Sequence, residues 1–326
     1  MGAANAKRMN HMNAAYYTGF GGPEVLRFGE QPVPKVPPGW VLVRVMAAGV
    51  NPVDWKLMDG SLDAILDTVF PAVPGWDVAG VIERVGLDTP EFSPGDEVVG
   101  YARKEVVRGG TFAEYVALPA ESLAPRPREG SWEAAAALPL AGMTALRALE
   151  RAGAGAGEPR TVLVHAAAGG VGQFAVKAAT AFGHRVIGTA SPANHGFLAE
   201  LGAEPVDYHG DWPARVRELA PEGVDAVVDF VGGVVRDSRA LLREGGGLVS
   251  SVDPVVVKRG GTLSWLRADG ALLARVVELV DSGAVALDEP AVYPLAGAAA
   301  ALEASRAGHA RGKLALRVAE GVTPDP

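Results

Sequence analysis

The chain has 326 residues, of which 48% are hydrophobic and 21% charged, with a formal net charge of −8 at pH 7. That length suits two moderate cores better than one, and the acidic balance offers no broad basic face to a nucleic acid. No apolar run reaches the roughly eighteen residues of a membrane span, so no membrane partner is expected. Cysteine is absent, which removes disulfides, thiolate catalysis and cysteine-ligated zinc together. No two histidines share a metal-ligand spacing, so no metal is expected.

Residues 1–12 lack the apolar run of a secretory signal. They are expected to form a flexible leader, with the ordered protein beginning near Asn13 and a location in the cytoplasm. From there to about residue 130, short apolar runs follow Gly/Pro turns. Examples are 41–45 after Pro37-Pro38-Gly39, 78–82 after Pro74-Gly75, and 97–99 after Ser93-Pro94-Gly95-Asp96. Short strands at close spacing predict a small twisted barrel or sandwich.

From Ser131 the pattern changes. An alanine-rich helix is expected over 133–138 and a second over 144–151. Strands and helices then alternate: strands 161–165, 185–189, 205–207, 225–230 and 247–252, with helices 172–182, 194–201, 212–219 and 234–242 between them. Gly183, Gly202, Gly223 and Gly245 stand where left-handed helix ends are expected. Such alternation with short links predicts right-handed crossovers and a parallel sheet. A last helix of this region is expected over 270–281. Strand-like runs then return from residue 290 around one more helix, 297–307.

The first strand of the alternating series runs into Ala166-Ala-Ala-Gly-Gly-Val-Gly172 and then a helix. On the dinucleotide fingerprint, Ala167 takes the first glycine position, Gly169 the second and Gly172 the third. Gly169 lets the backbone approach a pyrophosphate, and Gly172 lets the helix pack on the sheet. The helix N-terminus offers free N–H groups and a partial positive charge. An NAD site would carry an acid at the end of the second strand. This chain reads Gly188-Thr-Ala-Ser191 there, which favours a 2′-phosphate, although Ser191 is equally suited to capping the next helix.

Eight segments then carry a resemblance. They are Gly19-Phe-Gly-Gly-Pro-Glu-Val-Leu26, Gly49-Val-Asn-Pro-Val-Asp54, Pro74-Gly-Trp-Asp-Val-Ala-Gly80, Gly110-Thr-Phe-Ala-Glu-Tyr115, Leu138-Pro-Leu-Ala-Gly-Met-Thr144, 166–172, Asp229-Phe-Val-Gly-Gly233 and Gly312-Lys313. In this order and spacing the chain resembles the medium-chain dehydrogenase/reductase superfamily, in its zinc-free quinone oxidoreductase (zeta-crystallin-like) branch. In zinc-dependent relatives a cysteine stands at Asn51 and a Gly-His-Glu motif at Gly75-Trp76-Asp77.

The resemblance implies an α/β protein. A GroES-like β-barrel domain (13–134 and 290–326) would join a Rossmann domain with a doubly wound parallel sheet (135–289), and the cofactor NADPH would lie in the cleft between them. Asn51 and Thr144 would contact the nicotinamide end, while Gly169, Gly170, Val171 and Gly172 would hold the pyrophosphate. Ser191 and Tyr208 would surround the 2′-phosphate, Val231 would lie beside the cofactor, and Ser251 and Leu266 along its nicotinamide half. The family often has Lys or Arg where this chain has Ala193, but no acid replaces it. A homo-oligomer, commonly a dimer, is implied.

With no ligand set for a metal in the sequence, the acceptor is expected to be electrophilic already, either a quinone or an alkene conjugated to a carbonyl. Hydride reduction of a quinone needs no dedicated acid, because solvent protonates the product. Reduction of an enone or enoyl thioester needs a proton donor, for which Tyr101 and Lys56 are the weak candidates. Their ordinary roles are a barrel tyrosine and a solvated lysine. Asp54 is expected to hold a backbone turn; Trp55 and Trp76 are suited to lining an aromatic acceptor's pocket, although buried tryptophans are ordinarily core. A protein of another class, an NADPH-binding sensor or structural component with little turnover, fits the same cofactor motifs.

Overall fold

The computed structural model describes residues 10–308 and 312–319. In chain order the strands begin with β1 (His11–Tyr16), β2 (Arg27–Pro32), β3 (Trp40–Val50), β4 (Thr68–Val73), β5 (Asp77–Val85) and β6 (Glu97–Tyr101). Next come β7 (Val107–Gly109), β8 (Tyr115–Pro119), β9 (Leu123–Pro125), β10 (Thr161–Val164), β11 (Arg185–Ala190) and β12 (Ala203–Asp207). The last five are β13 (Val224–Asp229), β14 (Leu242–Ser250), β15 (Thr262–Leu263), β16 (Ala291–Pro294) and β17 (Leu314–Arg317).

The chain divides into two compact units. The first holds residues up to Leu140, Arg267–Glu278 and those from Leu287 onward; the second holds Ala141–Leu266 and Leu279–Ala286. The division expected at 134/135 therefore falls six residues later by these bounds. Most of the helix Gly270–Asp281 groups with the first unit, because Gly270 packs so closely on the carbonyls of Glu121 and Leu123 that a Cβ there would strike them.

In the first unit a seven-stranded sheet runs β16-β17-β3-β5-β6-β9, with β8 also paired to β3. β3 is its spine. Nine of its eleven residues are buried, so it reads as a continuous apolar run rather than an alternation. Register shifts between Leu42/Val43 and between Val45/Ala47 bend β3 against β5, as bulges do in small barrels. Val43, Val45, Val78, Ile82, Val98, Leu118, Leu314 and Leu316 form the core, closed by Leu302 from the helix Ala298–Ala307. The expected leader is corrected at its end. His11 and Met12 already pair with β2 and Met12 joins the core, because its apolar side chain has a buried face to fill. Residues 1–9 of that expectation lie outside the described residues.

In the second unit the sheet is parallel throughout, in the order β12-β11-β10-β13-β14-β15. This is the dinucleotide-fold order, with its reversal point between the first strand, β10, and the fourth, β13. Leu163, Ile187, Val206, Val227 and Leu248, one from each of five strands, share one buried cluster. Gly183, Gly202 and Gly223 adopt φ of 83°, 85° and 88°, the left-handed conformation expected of them. Gly245 is corrected. The helix before it spans only Val235–Arg239, and β14 already begins at Leu242. Gly245 (φ 77°) sits in an irregularity where Val224 and Ala226 of β13 pair with Leu242 and Gly247.

Candidate active site

The carboxyl edge of the parallel sheet collects most of the residues singled out in the second unit. The turn after β10 carries Gly169 to Gly172, and Ser191 follows β11. Tyr208 follows β12, Val231 lies beyond β13, Ser251 beyond β14 and Leu266 beyond β15. Six neighbouring strand ends of one parallel sheet thus share an edge, where open α/β sheets bind ligands. Thr144 lies apart from that edge in the sequence, buried within the helix Pro139–Arg151.

The phosphate turn is shaped by close approach. Ala166 takes a positive φ of 53°, and a Cβ at position 172 would meet the Ala166 carbonyl. Only glycine fits there. The helix Gly170–Ala181 starts two residues earlier than expected, and no side chain caps it. Its first-turn N–H groups have no intrahelical partner, so the turn fits a pyrophosphate group.

Beneath the turn lies a polar network that the sequence reading missed. His165 is buried, with Nδ1 3.1 Å from Thr189 Oγ1 and Nε2 2.9 Å from Ser238 Oγ. Ser238 spends its own hydrogen on the Val234 carbonyl, so Nε2–H donates to Ser238 and Nδ1 accepts from Thr189. Burial pushes the imidazole down to about 4, against the opposing pull of Asp229, and it is neutral at ordinary pH. Asp229, at the end of β13, accepts N–H bonds from Val231 and Gly232 at 2.9 Å each and the Ser250 hydroxyl at 2.7 Å. The Asp229-Phe-Val-Gly-Gly233 motif was the available signal for it; nothing in the sequence marked His165.

At the ends of β11 and β12, Ala190 pairs with Asp207. Ser191 does not cap the following turn; its Oγ accepts from Asn194 Nδ2 at 3.1 Å. The Asp207 carboxylate is already engaged by the His209 N–H at 3.0 Å and by His209 Nδ1 at 2.6 Å, with Arg215 3.9 Å away. The His209 backbone N–H first, then its imidazole, hold Asp207 below the usual carboxylate range. Tyr208 is 51% exposed, its ring 4.3 Å from that of His209.

In the first unit, strand register assembles a second cluster. Asp77 stands opposite Gly49 on one side and Tyr101 on the other, while Leu314 pairs with Val50. One end of the sheet therefore carries Lys313, Asn51, Asp77 and Tyr101 on adjacent strands. Asn51 Nδ2 donates to Asp77 Oδ2 at 2.9 Å, Lys313 Nζ donates to Asn51 Oδ1, and the Leu140 N–H reaches Asp77 Oδ1 at 2.9 Å. Asp54 holds the start of the helix Pro52–Met58 by accepting the Asn51 N–H at 2.7 Å, the turn-holding role expected of it.

Burial dominates the electrostatics of this cluster. It raises Asp54 to about 8 and Asp77 to about 6, and it lowers Lys313. Tyr101 is 2% exposed, its ring edge-on to buried Trp76 at 5.7 Å, and burial and then Asp77 push its phenol well above 10. Lys56 is partly buried, 5.4 Å from the centre of the half-buried Trp55 ring. The structure thus brings Asn51 and Tyr101 to one sheet end, in the company of Asp77 and Lys313. The last two stand in the Pro74–Gly80 and Gly312-Lys313 motifs, but their roles were not legible in the sequence.

The alcohol dehydrogenase GroES-like domain model matches residues 37–128, and the zinc-binding dehydrogenase model matches residues 201–316. An Arabidopsis thaliana protein named NADPH-dependent alkenal/one oxidoreductase, chloroplastic, is 32% identical over 96% of this chain and 81% of its own length. The structure of the quinone oxidoreductase from Coxiella burnetii is 34% identical, with a TM-score of 0.83 over 95% of this chain and all of that one. A mycobacterial protein solved in complex with NADPH is 32% identical, with a TM-score of 0.79 over 94% of this chain and all of that one. With the dinucleotide-fold strand order and the ordered motifs, these matches establish that the chain belongs to the medium-chain dehydrogenase/reductase superfamily, in its quinone oxidoreductase branch.

Proposed function

We propose that the protein transfers a hydride from NADPH to a quinone. The observation that carries this reading is the sheet edge at β10 and β11. An uncapped glycine-rich helix start lies beside a strand end, Ala190–Ser191, that offers no carboxylate to a ribose 2′-OH. The acid opposite Ala190 on the next strand, Asp207, is tied to His209 and lies 3.9 Å from Arg215, which favours a 2′-phosphate over a bare hydroxyl. The NADPH named for the Arabidopsis relative and the mycobacterial structure supports the same choice. The Coxiella structure supports the quinone.

The cofactor supplies the hydride when bound. The contribution of the chain is to hold and orient the reacting end, with Asn51 as the polar group assigned to it, and to exclude water. A reduced quinone takes its protons from solvent, so the quinone reading asks for no protein acid. A second reading, reduction of a carbonyl-conjugated alkene, is favoured by the alkenal/one relative. There the Tyr101 phenol, held protonated by burial, is the donor at hand.

A homodimer and a cytoplasmic location complete the proposal. Val255, Val257 and Trp265, close in the sequence to the edge strand β15, are exposed, and large apolar side chains left on the surface favour association. The test of function is NADPH and NADH consumption with 1,4-benzoquinone, 9,10-phenanthrenequinone and a simple enone. Quinone turnover supports the main reading and enone-only turnover the second. Tight NADPH binding without consumption leaves the choice between an untested substrate and the sensor class.

A further inference from the structure

The Asn51 carboxamide is held from both sides by opposite charges. Its Nδ2 donates to Asp77 Oδ2 at 2.9 Å, its Oδ1 accepts from Lys313 Nζ, and Lys313 lies 3.9 Å from Asp77. Turning the amide over would set N–H against the ammonium and oxygen against the carboxylate, so only one orientation is stable. Asp77 and Lys313 use one N–H and one lone pair of the amide, which leaves its second N–H pointing in a fixed direction. We propose that Asp77 and Lys313 are positioning residues for hydride transfer, acting through Asn51 by fixing the orientation of its carboxamide. This rests on the reading that Asn51 meets the nicotinamide end of the cofactor.

The energetics give the pair a reason to be more than a strand pin. Burying a carboxylate and an ammonium together carries a heavy desolvation cost, and apolar residues would join the strands at least as well. Both charges instead converge on one neutral amide. The surrounding groups keep the balance simple. Asp54, from the helix Pro52–Met58, is raised to about 8 and is protonated at neutral pH, its Oδ1 without a hydrogen-bond partner among the described residues. Tyr101 faces Asp77 from β6, with the charge of Arg103 acting on its phenol, and Tyr17 feels Asp54 from beyond β1. With Asp54 protonated, Asp77 is the carboxylate that faces Lys313. Asp77, raised to about 6, loses its charge on acidification, and the hold on Asn51 loosens with it.

The test is a double-mutant cycle on the full chain, with Asn51→Ala, Lys313→Met and both together. The readouts are kcat for NADPH-dependent reduction, the kinetic isotope effect with 4-deuterated NADPH, and melting temperature. Positioning through Asn51 predicts that K313M lowers kcat by about tenfold and raises the isotope effect in the wild-type background. In the N51A background K313M then changes kcat by less than about twofold. Equal losses in both backgrounds, or a lowered melting temperature with kcat unchanged, would show a purely structural pair and overturn the proposal. Should K313M fail to fold, the pH profile decides. The wild type is expected to lose kcat as pH falls through about 6, and Asp77→Asn to lack that limb. A flat wild-type acid profile, or the same limb in D77N, overturns the proposal while leaving hydride transfer standing. Absence of wild-type turnover with every acceptor removes the functional reading and this inference with it.

Discussion

Gly172 concentrates the logic of the phosphate site into one missing atom. A Cβ there would meet the Ala166 carbonyl oxygen and lie 2.8 Å from Ala166 C and Ala167 Cα, all backbone atoms of a turn that cannot yield singly. Gly172→Ala is therefore expected to cost about 1–3 kcal/mol as overpacking. It should also raise the Kd for NADPH by more than about tenfold, because the helix N-terminus is pushed from its place. Calorimetric titration with thermal unfolding checks both, and unchanged affinity would detach the turn from the cofactor. This residue was legible in the sequence because its constraint is local. Lys313 and Asn51 are 262 positions apart, and no local pattern announces that an ammonium at one will meet a carboxamide at the other. His165 was equally silent, since a histidine at a strand end reads the same whether buried or exposed.

Among elements, the strand ends of β13 and β14 are joined through Asp229. Its two oxygens serve the N–H groups of Val231 and Gly232 and the Ser250 hydroxyl, and Ser250 Oγ in turn accepts from Val252 N at 3.2 Å and Asp253 N at 2.9 Å. In Asp229→Asn, the Nδ2 hydrogens would point at a serine oxygen that already accepts two bonds. Leaving that hydroxyl unsatisfied costs about 1–3 kcal/mol, and the turns bearing Val231 and Ser251 loosen together. The expected outcome is a lower melting temperature with a raised KM for NADPH; a lower melting temperature with KM unchanged would separate these turns from the cofactor. Sheet order followed from the alternation of apolar runs with glycine-ended helices, which is a local signal. The grouping of Arg267–Glu278 with the first unit did not, because it depends on Gly270 meeting the Glu121 and Leu123 carbonyls across a long stretch of chain.

For the whole molecule, buried acids set a pH dependence of stability. The folded-state pKa of Asp54 is raised to about 8 from 3.8, so the folded chain holds a proton that the unfolded chain has released. Its contribution is complete below the unfolded value, declines through the range between the two, and is gone once pH passes about 8. Asp77 acts in the same sense up to about 6. His165, lowered to about 4 from 6.5, has the opposite sign; its contribution is present above 6.5 and is lost as pH falls through 4. Between 6.5 and 8, then, the Asp54 decline stands without those two. Asp54→Asn keeps an oxygen for the Asn51 N–H and removes the titration. Urea unfolding at pH 6.5 and 8.5 should show the wild type losing stability toward alkaline pH and D54N losing clearly less. Equal losses in the two proteins would mean that Asp54 is already ionised at neutral pH.

The most direct test of hydride transfer from NADPH is steady-state reduction of 9,10-phenanthrenequinone with NADPH and with NADH under one set of conditions. The account predicts NADPH consumption stoichiometric with quinone loss, and a kcat/KM for NADPH at least about tenfold above that for NADH, as expected where the strand end lacks a ribose-binding acid. A preference for NADH would contradict the reading of the Ala190–Ser191 strand end. No consumption of either cofactor with the quinone would contradict the proposed reaction itself.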